Sequence, residues 1–264
     1  MKTKLNEGDK LLLLNKIGVY NMLSQSRINF VIFFFLSFGS PLMLSCGSKG
    51  TPELSQQRPQ ESTNPNAPQS SGHNETLLAA ASPFEDLIDF AEAGDQGNIQ
   101  ATYDKIHSQV KNIKQTLSSE MLASFDSHLQ AIRQGIASSD NTAVALHAAE
   151  TYRLLISSLD KTTLIVPVEV SLLDYAGFKL NVLANAKNPD FGAMTNTVTE
   201  ARGFWDAIQA KVKEKGLHDV MNTAIEGMEQ AAAKKNLDMA AFAAQVDLDL
   251  VDLLEHYFKT KSPK

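Results

Sequence analysis

Four residues first invite chemistry: His147 and Glu150 in the stretch HAAE, and Asp104 and His107 in DKIH. Each pair stands three residues apart. On a helix that spacing sets an imidazole and a carboxylate on one face, where both can reach one ion. Helical bundles build metal sites from such pairs on facing helices. The chemistry on offer is therefore the binding of a divalent metal. A single cysteine rules out zinc clusters and c-type haem attachment, which need more than one. The chain has no G-x-x-x-x-G-K-[ST] loop, no G-x-S-x-G elbow and no H-E-x-x-H pair. No residue is assigned a catalytic role, and the chain reads as a binding protein rather than an enzyme.

An internal repeat tests the metal reading. LIDFA at 87–91 recurs as LLDYA at 172–176. Further along, at an offset of 95, Ile99 matches Met194, Ile113 matches Ile208, Ala148 matches Ala243, Leu155 matches Leu250 and Leu159 matches Leu254. The second copy carries about ten extra residues near GFKLNVLANA. In this register His147 and Glu150 fall on Phe242 and Gln245, and Asp104 and His107 fall on Thr199 and Arg202. The copy keeps none of the four ligand types. Phe242, expected on the core-facing edge, marks the His147 position as one that fills space. Asp89 and Asp174 are shared by both copies. They read as helix-dipole or capping residues in first turns, or as a polar pair at a pseudo-twofold axis, with Arg202 a partner for Asp174 and Trp205 in the core. The last helix carries Asp247, Asp249, Asp252, Glu255 and His256. With Leu250, Leu253 and Leu254 claiming the core, these charges are expected on a solvated face.

The elements that position these residues follow from apolar spacing. From Pro83 on, apolar residues recur every three or four positions, the mark of amphipathic helices. Breaks fall at GDQGN (94–98), at Ser118-Ser119 and at SSDN (138–141), whose residues cap helices or tolerate turns. The expected fold is all-α: a helical bundle built from two similar multi-helix units related by internal duplication, packed as one domain. The first unit spans 83–160 and the second 171–260. The segment KTTLIVPVEV (161–170) is rich in β-branched residues and is expected as an extended crossover between them.

The lone cysteine, Cys46, has a separate logic. Residues 28–44 are almost wholly apolar and Arg27 precedes them, the pattern of a secretory signal. Gly39, Ser40 and Pro41 interrupt the run, which is short for a spanning helix. Met43-Leu44-Ser45-Cys46 resembles the lipobox of bacterial lipoproteins, with Ser45 and Cys46 matching the pattern. That resemblance implies that residues 1–45 are a signal peptide and that Cys46 becomes the mature N-terminus, acylated on its sulfur and usually on its amine. More than one chain is needed for durable anchoring, at about 0.8 kcal/mol per buried CH₂. Gly47 after the cysteine, rather than Asp, implies the outer membrane by the same resemblance. Translation from Met22 would give a compact signal, and that start is the expected one.

Residues 46–82 are dominated by Ser, Pro, Gln, Asn and Gly. They are expected as a disordered tether spanning on the order of 30–35 Å. The net charge of −6 and a pI near 5.5 exclude the basic patch of a nucleic-acid binder. The expectation is a lipid-anchored helical module of the bacterial envelope, held to the bilayer through acylated Cys46 and binding an unidentified protein or small ligand. No cofactor is required. The alternative is a periplasmic metal-binding bundle using His147 and Glu150.

Overall fold

The computed structural model describes residues 70–261, with side chains from residue 72; the expected signal peptide, Cys46 and the expected tether up to residue 69 lie outside the described residues, as do residues 262–264. Eight α-helices follow one another, and no strand occurs among the described residues. They are α1 (Ser70–Ala93), α2 (Gln96–Thr116), α3 (Ser119–Ser138), α4 (Asn141–Ser157), α5 (Val168–Asn185), α6 (Phe191–Ile208), α7 (Lys215–Ala233) and α8 (Leu237–Lys261). The first four form a ring in which α1 packs on α2 and α4, and α3 packs on α4. The last four repeat that arrangement: α5 packs on α6 and α8, and α7 packs on α8. The rings meet where α4 lies against α5.

Short-range chemistry sets the helix ends. Gly94 takes a left-handed φ of 71°, ending α1. Asp95 then caps α2 by accepting the Asn98 amide at 3.1 Å. Asp140 and Asp190 do the same for α4 and α6 through Ala143 and Ala193. The breaks at Gly94-Asp95 and Asp140 fall where the sequence places them; the one at Asp190 was not among those expected. Ser118 precedes α3 as its N-cap residue but makes no side-chain capping bond.

Two boundaries differ from expectation. The tether was expected to run to residue 82, but α1 begins at Ser70 and carries Pro83 inside it. Leu77, Ala80, Ala81, Phe84, Leu87, Ile88 and Ala91 form one buried stripe at helical spacing that runs straight through the proline. Packing of that stripe against α4 outweighs the backbone hydrogen bond that Pro83 cannot donate. Asn74 is buried beneath the turn after α4. It donates to the Asp160 carbonyl and to Thr163, both at 2.9 Å, and accepts the Asp160 amide at 2.8 Å. The expected extended crossover is also shorter. Lys161–Thr163 form a single 3₁₀ turn and α5 starts at Val168, directly after Pro167. Proline is favourable at a helix start, where its missing N–H has no intrahelical partner to lose.

One continuous core runs through the described residues. Thirteen residues of the eighteen in α5 are buried, which makes it the central helix, packed on α4, α6 and α8. Trp205 is fully buried, as expected, with its indole N–H donating to Asn222 at 2.7 Å. Two expectations about apolar side chains fail. Phe242 is 72% exposed and Leu253 is 55% exposed. In α8 the buried phase runs through Ala240, Ala243, Ala244, Asp247, Val251 and Leu254, and both residues sit off that line.

One glycine in each ring stands where a side chain would clash with the facing helix. A Cβ on Gly177 of α5 would meet Leu248 Cγ at 2.7 Å, Leu248 Cδ2 at 2.8 Å and Asp247 Oδ2 at 2.9 Å. A Cβ on Gly135 of α3 would meet Val144 Cγ2 at 2.9 Å and the Asp140 carbonyl oxygen at 3.2 Å. Gly177→Ala is expected to force α5 and α8 apart and to lower stability by about 1–3 kcal/mol. Urea denaturation followed by circular dichroism measures this, and an unchanged midpoint would contradict the close crossing.

Candidate functional site

A cluster of partly buried polar side chains lies at the junction of the two rings. Four helices supply them: His128 from α3; His147, Glu150 and Arg153 from α4; Tyr175 and Lys179 from α5; Glu200 from α6. His147, Glu150 and Arg153 stand at successive three-residue steps on one side of α4, and Tyr175 and Lys179 are one turn apart on α5.

Glu150 is the hub. Its Oε1 accepts from Lys179 Nζ at 2.6 Å and from the Tyr175 hydroxyl at 3.0 Å. Its Oε2 accepts from Arg153 Nε at 3.0 Å. Lys179 Nζ also donates to the Tyr175 oxygen at 2.8 Å. Glu200 completes the set, 3.3 Å from the Tyr175 hydroxyl and 3.6 Å from Arg153. The single Tyr175 proton serves one carboxylate at a time, and Glu150 is the nearer. The Arg153 guanidinium lies 5.3 Å from the Tyr175 ring centroid, within cation–π range. Glu150 and Lys179 side chains are only 19% and 18% exposed, so their attraction is weakly screened.

The local electrostatics follow from this packing. Burial works against charge on Glu150, yet the Lys179 hydrogen bond and the charges of Lys179 and Arg153 hold its carboxyl below the usual range. Burial, then the Glu150 charge, pushes the Tyr175 phenol well up. Two acids and two bases cancel here, so the cluster acts as a clasp between α4, α5 and α6.

The residues singled out from sequence separate in space. Glu150 does not join His147 at a shared ion position, because its oxygens are engaged by Lys179, Tyr175 and Arg153. His147 instead meets His128 of α3, with the two Nδ1 atoms 3.1 Å apart. Asp104 and His107 are exposed on α2 and find neighbours on their own helix: Gln100 donates to Asp104 at 2.9 Å, and His107 stacks on Tyr103. Among the described residues, no three His, Cys, Asp or Glu side chains converge to hold a metal.

Arg202 pairs with Glu229 of α7 through two bonds, Nε to Oε1 at 2.7 Å and Nη2 to Oε2 at 2.9 Å, and not with Asp174. This pair borders a cleft of about 270 Å³ between α6 and α7, floored by Val198, Ala232 and Ala233.

Asp89 and Asp174 belong to a second polar neighbourhood. Glu85 of α1 is pushed up to about 8, by burial first and then by the charges of Glu255, Asp86 and Asp89, against a hydrogen bond from Tyr152. Asp174 adds its negative charge beside the Tyr152 hydroxyl, which burial also holds well above its ordinary value.

The solvated acidic face expected on the last helix needs correction at one position. Asp247 is fully buried, and neither carboxylate oxygen has a hydrogen-bond partner. Burial alone pushes its carboxyl well up. The helical phase was the available signal: Asp247 lies three and four residues after Ala244 and Ala243, and four before Val251. Asp249 and Asp252 are exposed as expected.

Comparison with protein-family models finds no match, and neither do searches of curated proteins and of solved structures.

Because the folded state keeps the Asp247 proton far longer than the unfolded chain does, the contribution of Asp247 to stability is fullest below the ordinary carboxylate range and is lost as pH rises above it. Glu85 adds a loss of the same sign between about 4.5 and 8. Asp247→Asn removes the first contribution. Relative to wild type, the variant is expected to gain about 1–3 kcal/mol between pH 4 and pH 8. Thermal melts at both pH values check this, and parallel shifts of the two proteins would contradict a buried, ionisable Asp247.

Proposed function

We propose that this chain is a lipid-anchored helical module of the bacterial cell envelope, which binds a partner rather than transforming a substrate. The observation that carries the reading is the position of Cys46. The only cysteine of the chain directly follows the apolar run at 28–44 and precedes a polar stretch, with Ser45 before it. A cysteine so placed is a site for acylation after cleavage, and Gly47 directs the product to the outer membrane. Among the described residues, no helix is long and apolar enough to cross a membrane.

The binding role rests on what the polar groups do. Glu150, Lys179, Tyr175 and Arg153 engage one another, which suits a scaffold. The α6–α7 cleft of about 270 Å³ falls just below the range of small-molecule pockets, roughly 300–1,000 Å³. A cleft of that size receives one side chain of a protein partner, or a small ligand fragment, beside the Arg202–Glu229 pair.

We also read the two rings as products of internal duplication. Positions matched in sequence share burial: Ile99 with Met194, Ile113 with Ile208, Ile132 with Met228, Leu155 with Leu250, Ile156 with Val251. The strongest helix pairings also correspond, α1 on α4 with α5 on α8. Duplication of a ring that cannot cover its own face supplies the α4–α5 junction, where each ring buries the other.

The test is metabolic labelling with a palmitate analogue, followed by membrane fractionation. Wild type is expected to carry label and to sediment with membranes, and Cys46→Ser to lose the label. A Cys46→Ser protein that keeps both label and membrane attachment overturns the anchoring.

A further inference from the structure

We infer that His128 and His147 form a two-imidazole site for a divalent transition-metal ion of the Cu²⁺ or Zn²⁺ kind. The site is independent of the lipid anchor. It also differs from the His147–Glu150 pairing that sequence spacing indicates, because the second ligand comes from a different helix.

The geometry carries the inference. The Nδ1 atoms of the two rings face each other at 3.1 Å, with ring centroids 5.4 Å apart and planes inclined by 43°. A bare pair of nitrogen lone pairs at that distance repels, so something shared must lie between them. A proton on one ring can fill that place, and a metal can replace it from a position beside the line between the two nitrogens. Two metal–nitrogen bonds of about 2.0–2.1 Å span 3.1 Å when they meet at about 95–102°, between octahedral and tetrahedral angles. Admitting the ion asks the two rings to turn so that both lone pairs aim at it.

The fold also fixes the pair. His128 and His147 lie on the two arms of the α3–α4 hairpin, closed by Ser139 at a left-handed φ of 56° and by the Asp140 cap. Gly135 allows α3 to approach Val144 of α4 more closely than any side chain would permit. The imidazoles are thus held before a ligand arrives, which lowers the ordering cost of binding. Both rings are half-buried, so water reaches the open coordination positions. Imidazole nitrogen suits Cu²⁺, Ni²⁺ and Zn²⁺, with Cu²⁺ bound most tightly.

Glu150 sets the limit of the site. Its carboxylate is committed to Lys179, Tyr175 and Arg153, so the protein supplies two ligands and solvent or a partner supplies the rest. Such a site exchanges its ion readily, unlike a closed structural centre.

The experiment uses the full chain, purified in detergent without a polyhistidine tag, titrated with Cu²⁺ and followed by electron paramagnetic resonance. Wild type is expected to bind one tight equivalent with two-nitrogen superhyperfine splitting. His128→Ala and His147→Ala should each weaken that equivalent at least tenfold and leave a single nitrogen. Zn²⁺ should raise the melting temperature of wild type and of neither variant. Should an alanine variant lose its helical circular dichroism, His128→Gln and His147→Gln, which keep more of the side chain, are read in its place. A tight equivalent that survives in both variants assigns the metal elsewhere and overturns the inference. So does a wild type that binds Cu²⁺ no better than the double variant, because the histidines then share only a proton.

Discussion

The Glu150 carboxylate is the point at which the two halves of the molecule are fastened. It lies where α4 meets α5, the contact joining the two rings, and it gathers Lys179 and Tyr175 from the far side together with Arg153 from its own helix. A carboxylate so enclosed would lose heavily on desolvation if left alone. Two cations and a hydroxyl reverse that balance. Tyr175 could not bring its hydroxyl into a fully buried position without Glu150 to receive it. The clasp therefore sets the register of α4 on α5, and α5 in turn orients α6 and α8.

Around this polar point the architecture is governed by close approach between helices. Gly135 and Gly177 each omit a side chain where a Cβ would clash with the facing helix. Leu248 and Val144 fill the space so released. Asp247 is the feature that works against stability: it lies in the same crossing as Gly177, enclosed and without a partner. A second link between the rings is more conventional, with Asn181 of α5 donating to Glu92 of α1 at 2.8 Å. The polar contacts inside this protein thus concentrate on α5, whose mostly buried surface leaves them no water to bond.

Much of this was legible in the sequence. Period-3.6 apolar spacing gives the all-helical class, and Gly94, Asp95 and Asp140 mark helix ends through local chemistry that needs no tertiary information. The start of α1 was not legible, because residues 70–76 read as polar tether. Their order comes from Asn74 reaching Asp160 and Thr163, far away in the chain. The partners of Glu150 were hidden for the same reason: helix-face reasoning sees three or four residues ahead, whereas Tyr175 and Lys179 lie 25 and 29 residues on. One signal was present. Lys179 stands alone in the apolar run from Ala176 to Leu183 with Asn181, and a lone cation in a buried helix requires an anion. His128 carried no such mark, since its meeting with His147 depends on how closely α3 and α4 approach.

The central claim, that Glu150 fastens α4 to α5 and is not available as a ligand, is tested most directly by a double-mutant cycle. Glu150→Gln, Lys179→Met and the double variant are compared with wild type by urea denaturation at neutral pH. The account predicts a coupling energy of at least about 1 kcal/mol between the two positions. Single-variant effects that simply add, to within about 0.3–0.5 kcal/mol, would contradict it.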